Sequence, residues 1–188
     1  MPKRIISLIE GNFYHIYNRV EPDKMLFYKE KDYLNFLEIL NEIEFTKSCS
    51  ILAYTLMPNH YHFLVKLNSP DLFSKKMSLL FTKYLNKLRL RENTQGRFFK
   101  NRFKTRWIGK LDYLVWLCCY IHRNPLKARL VERIEDWKYS NYLECIGKRN
   151  GKLLDRKLFK EIVGTPEEYQ EIIKQSFDEK LIEPYKID

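Results

Sequence analysis

The sequence predicts an α+β fold, a ferredoxin-like β-α-β-β-α-β antiparallel sheet with an added helix and a helical C-terminal tail. Three observations predict it. Segments of strand and helix character succeed one another as strand, helix, strand, strand, helix, strand, helix. The third and fourth are joined by Pro58-Asn59 alone, a connection that allows only an antiparallel hairpin. At 188 residues the chain suits one domain with a small appendage and is long enough to bury a core.

Each element has its own local reason. Phe13 to Val20 (FYHIYNRV) is rich in aromatic and β-branched residues and reads as a strand. Asp32 is placed to cap a helix whose apolar stripe runs Tyr33, Phe36, Leu37, Leu40 and Ile43. Ser50 to Met57 and His60 to Leu67 are the hairpin strands, with Pro58 and Asn59 suited to the two central positions of a tight turn. Ser69 as N-cap, Pro70 at the first helical position and Asp71 beside the dipole open the next helix. It offers Phe73, Met77, Leu80, Phe81, Tyr84 and Leu88 to a core. After a loop at 93–96, Phe98 to Ile108 (FFKNRFKTRWI) reads as a strand. That period puts Lys100, Arg102, Lys104 and Arg106 on one face and Phe99, Asn101, Phe103, Thr105 and Trp107 on the other, with Phe103 and Trp107 as core residues. Leu111 to Asn124 is an apolar helix ended by Pro125. Asp155 starts a short helix finishing near Gly164, and Thr165-Pro166-Glu167-Glu168 is a capping box that opens another to about Phe177. The weakest seam, GKRNG at 147–151, divides a main domain of residues 1–147 from a helical extension of residues 148–188.

Composition sets aside disorder and fibres: 45% of residues are hydrophobic and 15% aromatic, with only 6 Gly and 7 Pro. The longest apolar run, Leu114 to Ile121, is far short of the ~20 residues that span a bilayer, and the first residues lack a signal-type apolar stretch. The four cysteines include no C-x-x-C pair and read as reduced, buried thiols, which agrees with a cytoplasmic location. The net charge is +10, yet Lys83 to Lys110 holds ten cations and a single acid, a local +9. Such a concentration marks a polyanion partner, nucleic acid first among them.

Two constellations can carry chemistry. His60 and His62 lie two apart on a strand, so their side chains leave the same face and can converge on one ion, while Tyr61 points away with its ring buried and its hydroxyl partnered. Alone, an H-x-H of this kind is commonly just two polar residues on a surface. Tyr120 and Asn124 share a helix face at i, i+4, although a tyrosine there also suits an amphipathic core. His15 and His122 have no comparable partner and read as surface or satisfied-core histidines.

Taken together, LMPNHYHFLV (56–65), GRFFKNRFKTRWI (96–108) and YLVWLCCYIHRNPLKARLV (113–131) resemble the single-tyrosine HUH transposases of the insertion-sequence and REP-associated type. YHIYNRV (14–20) and WKYSNYLECIG (137–147) extend the resemblance over about residues 12–147. It implies that the added helix is catalytic, with Tyr120 as nucleophile. It also implies that His60, His62 and Asn124 hold a divalent metal ion, Mg²⁺ or Mn²⁺, and that the partner is single-stranded DNA with hairpin structure. The implied reaction is metal-dependent strand cleavage and rejoining through a 5′-phosphotyrosine. Insertion-sequence relatives act as homodimers and REP-associated ones as monomers, and both states stay open. Asn18, Arg19, Arg97, Lys100, Arg102, Lys104 and Arg106 are the candidate DNA contacts. Two rivals share parts of this reading: a non-catalytic nucleic-acid-binding regulator on the same fold, and a metal-dependent hydrolase of a small phosphate ester, which leaves the +9 segment without a purpose.

Overall fold

Four strands, β1 (Phe13–Arg19), β2 (Cys49–Met57), β3 (His60–Leu67) and β4 (Lys104–Ile108), form one antiparallel sheet in the order β2-β3-β1-β4. The protein is described by a computed structural model over residues 7–175 and 179–185. Helices α1 (Glu30–Glu42) and α2 (Pro70–Glu92) cover one sheet face. Helix α3 (Asp112–Lys127) covers the other, joined there by α4 (Tyr142–Cys145), α5 (Arg156–Val163) and α6 (Pro166–Ile172). This is the ferredoxin-like α+β arrangement with an added helix. Among the described residues, no helix is long and apolar enough to cross a membrane.

Strand parity sorts the side chains. Tyr14, Ile16, Tyr61, Phe63 and Val65 enter the core under α1 and α2, against Phe36, Leu40, Met77 and Tyr84. His15, His62 and Leu64 lie on the opposite face, where Leu114, Leu117 and Ile121 of α3 pack. Residues after 150 extend this second core. Leu154 bridges to Ile51, Phe159, Val163, Tyr169 and Ile173 pack with α3, and Arg123 donates to the carbonyls of Ile173 and Gln175. All four cysteines are buried free thiols.

Several local expectations are corrected. Asp32 caps α1 from position N3 and not as the N-cap, which is Lys29. It sits in the first turn, 1% exposed, accepting from the Tyr28 and Lys29 amides and from the Arg91 guanidinium, so it acts from inside the helix. The strand expected over Phe98–Ile108 begins only at Lys104, and 98–103 is irregular. Phe98, Phe99 and Phe103 turn inward from that segment toward α2, which suits packing better than a sheet edge. Trp107 is 52% exposed on edge strand β4, not a core residue. Phe103 does pack against the core. Helix α3 runs through Pro125 to Lys127, since the missing Pro amide removes one bond while Ala128 still donates to Asn124 and Leu130 to Pro125. Helix α6 ends at Ile172, and the Phe177 limit lies outside the described residues. The caps at Asp155 and at Thr165 with Glu168 form as the sequence predicts.

Candidate functional site

His60 opens β3 directly after the Pro58-Asn59 turn, and His62 follows on the same face. Their ring centroids are 5.1 Å apart. Asn59 Oδ1 lies 2.6 Å from His60 Nδ1, a contact that holds a proton on Nδ1 and leaves Nε2 as a lone pair. His62 is fully buried and its Nε2 has no hydrogen-bond partner. An orphaned imidazole nitrogen in a dry site costs free energy unless something accepts or binds it, and a metal ion is such a partner. Burial, reinforced by the Arg19 charge, pushes His60 down to about 3. Burial, then the neighbouring His15, His60 and Arg19, holds His62 well below the usual histidine range. Both rings are therefore neutral near pH 7, the form that ligates.

Tyr120, 7% exposed on α3, packs with its ring near-perpendicular to that of His62, centroids 5.8 Å apart. Leu117 and Ile121 are buried in the same core and hold that helix face against the sheet. Asn124 lies one turn later and donates from Nδ2 to the Tyr120 carbonyl, 2.8 Å, which leaves its amide oxygen as a free-standing acceptor for a cation or solvent. Among the described residues, no three His, Cys, Asp or Glu side chains form a metal-holding cluster. Imidazole nitrogens and amide oxygens are donor types that suit a divalent cation with open positions for substrate oxygens.

The candidate DNA contacts divide between the two faces. In register, Arg19 lies opposite His60, Lys104 opposite Tyr17 and Arg106 opposite His15, so these three exposed cations border the histidine face. Asn18, opposite Tyr61, belongs to the other face; its amide donates to the Asn101 carbonyl. There Asn18 and Arg102, with Lys75, Asn86 and Arg89, line a cavity of about 800 Å³ between α2 and the 98–103 segment. Lys100 and Arg97 are exposed on the irregular segment, so the expected single row of four cations is not formed. The Tyr61 ring is buried as expected, but its hydroxyl has no hydrogen-bond partner.

Three residues at the site carry roles that the sequence reading did not assign. Asn59, read as a turn residue, also fixes His60. Lys127 places its ammonium 5.5 Å from the Tyr120 ring centroid. His15, read as a lone histidine, is buried with Nε2 2.8 Å from His62 Nδ1 and its ring 6.4 Å from that of Tyr120. Strand parity already puts His15 and Arg19 on one face of β1; only the pairing register shows that this face meets the histidine pair. His122 is a satisfied core histidine, bonded to the Tyr169 hydroxyl and Asn141 Oδ1.

A sequence profile of the family described as "Transposase IS200 like" matches residues 10–124, well over half of the chain. The chain belongs to the IS200-like transposase family. The matched span of this transposase runs from the start of β1 to Asn124, taking in the histidine hairpin, the basic segment and Tyr120. Among solved structures, a REP-associated tyrosine transposase bound to a REP hairpin superimposes with a TM-score of 0.64 at 17% sequence identity. The alignment covers 82% of this transposase and 94% of that chain, a likeness of fold. No curated protein matches the sequence.

Proposed function

We propose that this IS200-like transposase cleaves and rejoins single-stranded DNA beside a hairpin, with Tyr120 as nucleophile and His60, His62 and Asn124 as ligands of Mg²⁺ or Mn²⁺. The observation that carries the reading is the packing of the Tyr120 ring against His62, whose Nε2 is buried without a partner. When bound there, a divalent cation supplies Lewis-acid polarisation of the scissile phosphate.

The chain's own residues do the rest. A free phenol is phenolate in only about one molecule in a thousand at neutral pH, so orientation has to contribute. Tyr120 is held on a packed helix rather than a loop, which limits the positions its oxygen samples. Its oxygen attacks phosphorus, the P–O3′ bond breaks, the phenolic proton passes to solvent and the leaving O3′ is protonated. The product is a 5′-phosphotyrosine with a free 3′-OH. Attack by another 3′-OH reverses the step and joins strands without a nucleotide cofactor. Arg19, Lys104 and Arg106 border the site on the histidine face and neutralise the backbone phosphates of the strand. Asn18 and Arg102, with Arg97 and Lys100 beside them, offer a second contact surface across the sheet. Residues 148–188 act as an extension that braces the tyrosine helix, in line with the packing of Phe159, Tyr169 and Ile173 beside Leu117 and Ile121.

Incubation of a 3′-labelled strand carrying a hairpin, with Mn²⁺, gives a covalent protein–DNA adduct that denaturing gels resolve. Tyr120→Phe abolishes the adduct and keeps hairpin binding. An adduct that survives this substitution overturns the nucleophile assignment, and tight hairpin binding without cleavage in any divalent metal identifies the protein as a regulator.

A further inference from the structure

We infer that His15 is a positioning residue for the metal site: by accepting the Nδ1 proton of His62, it holds that imidazole in the tautomer whose Nε2 lone pair can bind the cation. The inference rests on the metal reading above. His15 Nε2 and His62 Nδ1 are 2.8 Å apart, and the two rings are within 7° of parallel with centroids 5.1 Å apart. The difference between the two distances is about 2.3 Å, the span of two ring radii. The contact is therefore an in-plane N–H···N hydrogen bond and not a face-to-face stack.

One nitrogen of that bond carries the proton, and the choice has a chemical consequence. If His15 donates from Nε2, His62 Nδ1 is the acceptor and the proton of neutral His62 sits on Nε2. That N–H would be buried with no acceptor, since Nε2 has no partner in the structure, and it could not ligate. If His62 donates from Nδ1, its Nε2 is left as a lone pair that can bind a cation. The second arrangement avoids the buried unpaired donor and is favoured. His60 is set the same way by Asn59. Hydrogen bonds of this kind orient metal-binding imidazoles and raise their basicity.

His15 is also fixed in place. It is fully buried on β1, with the Tyr17 ring 4.8 Å and the near-perpendicular Tyr120 ring 6.4 Å away, centroid to centroid. Because its Nε2 already faces His62 Nδ1, that nitrogen is occupied and does not serve as a third ligand. In register, His15 and His62 are diagonal neighbours across β1 and β3, as Tyr17 is the residue directly opposite His62.

The test measures Mn²⁺ affinity by calorimetry without DNA, alongside the imidazole ¹⁵N spectrum of the metal-free protein. Wild type is expected to bind Mn²⁺ and to show His62 protonated at Nδ1. His15→Phe removes the acceptor, and a fall in Mn²⁺ affinity of about 10–100-fold is expected, with His62 shifting toward a mixture of tautomers. His15→Gln, which keeps an acceptor at a similar reach, restores most of the affinity. Wild-type protein that binds Mn²⁺ through His62, with a folded His15→Phe protein within about twofold of it, overturns the inference and leaves the metal reading standing. A wild-type His62 protonated at Nε2 does the same and needs no variant to fold. Wild-type protein that does not bind Mn²⁺ overturns the metal reading and this inference with it.

Discussion

If Arg19, Lys104 and Arg106 lie along the DNA backbone, their contribution is measurable as a salt slope. All three are exposed and border the histidine face through the register of β1 with β3 and β4. Replacing each with Gln removes three phosphate contacts. For a single strand each contact adds about 0.7 to the slope of log affinity against log salt, so the triple variant loses about 2 slope units. Between 50 and 200 mM NaCl, wild type then loses about 20-fold more affinity than the variant does. Fluorescence anisotropy of a labelled hairpin with a single-stranded flank, in EDTA to prevent cleavage, reads this directly. Lys157→Gln with Lys160→Gln on α5 removes two cations elsewhere on the protein and is expected to leave the slope unchanged. A triple variant that keeps the wild-type slope within about half a unit refutes the placement of the strand on this face.

Three further outcomes test the fold and its buried groups. Tyr61→Phe removes a buried hydroxyl without a hydrogen-bond partner, so stability in urea is expected to hold or to rise by about 1 kcal/mol; a loss of that size would mean that the hydroxyl is satisfied. Asp32→Ala strips two amide donors and the Arg91 guanidinium of their acceptor. With Arg91 one-third exposed, the cost sits at the low end of the range for a broken buried pair, about 3 kcal/mol by chemical denaturation, while Asp32→Asn costs less. Burial holds His122 down at about 4, below its ordinary 6.5. Between those values the unfolded chain binds more protons than the folded one, so stability falls as the pH is lowered. The His122 share of that loss from pH 7 to 4.5 is about 2 kcal/mol, and the gap in stability between wild type and His122→Gln is expected to narrow by that amount in urea titrations at the two pH values.

The parts of the fold that local chemistry determines were legible in the sequence. The Pro58-Asn59 turn, the Pro70 start of α2 and the caps at Asp155 and Thr165 each depend on neighbours within four residues, and each formed where expected. Errors arose where distant packing outweighed a local pattern. Alternating charge from Lys100 to Arg106 suits a strand, yet Phe98, Phe99 and Phe103 gain more by turning toward α2 than the backbone gains by extending an edge. The same competition carried α3 past Pro125, because Pro125 itself is buried and one lost hydrogen bond is offset by the packing of that turn.

The site shows the same division. The i, i+2 spacing of His60 and His62 and the i, i+4 spacing of Tyr120 and Asn124 are properties of one strand and one helix, so the sequence displays them. His15 reaches His62 only because β1 lies between β3 and β4 with Tyr17 paired to His62, which brings the histidine two residues earlier onto the diagonal. A pairing shifted by one residue would turn His15 to the opposite face and leave His62 Nδ1 without its partner. Strand register is thus part of the chemistry of the site: the alternation that buries Tyr14 and Ile16 under α1 and α2 also fixes which nitrogen of His62 meets His15.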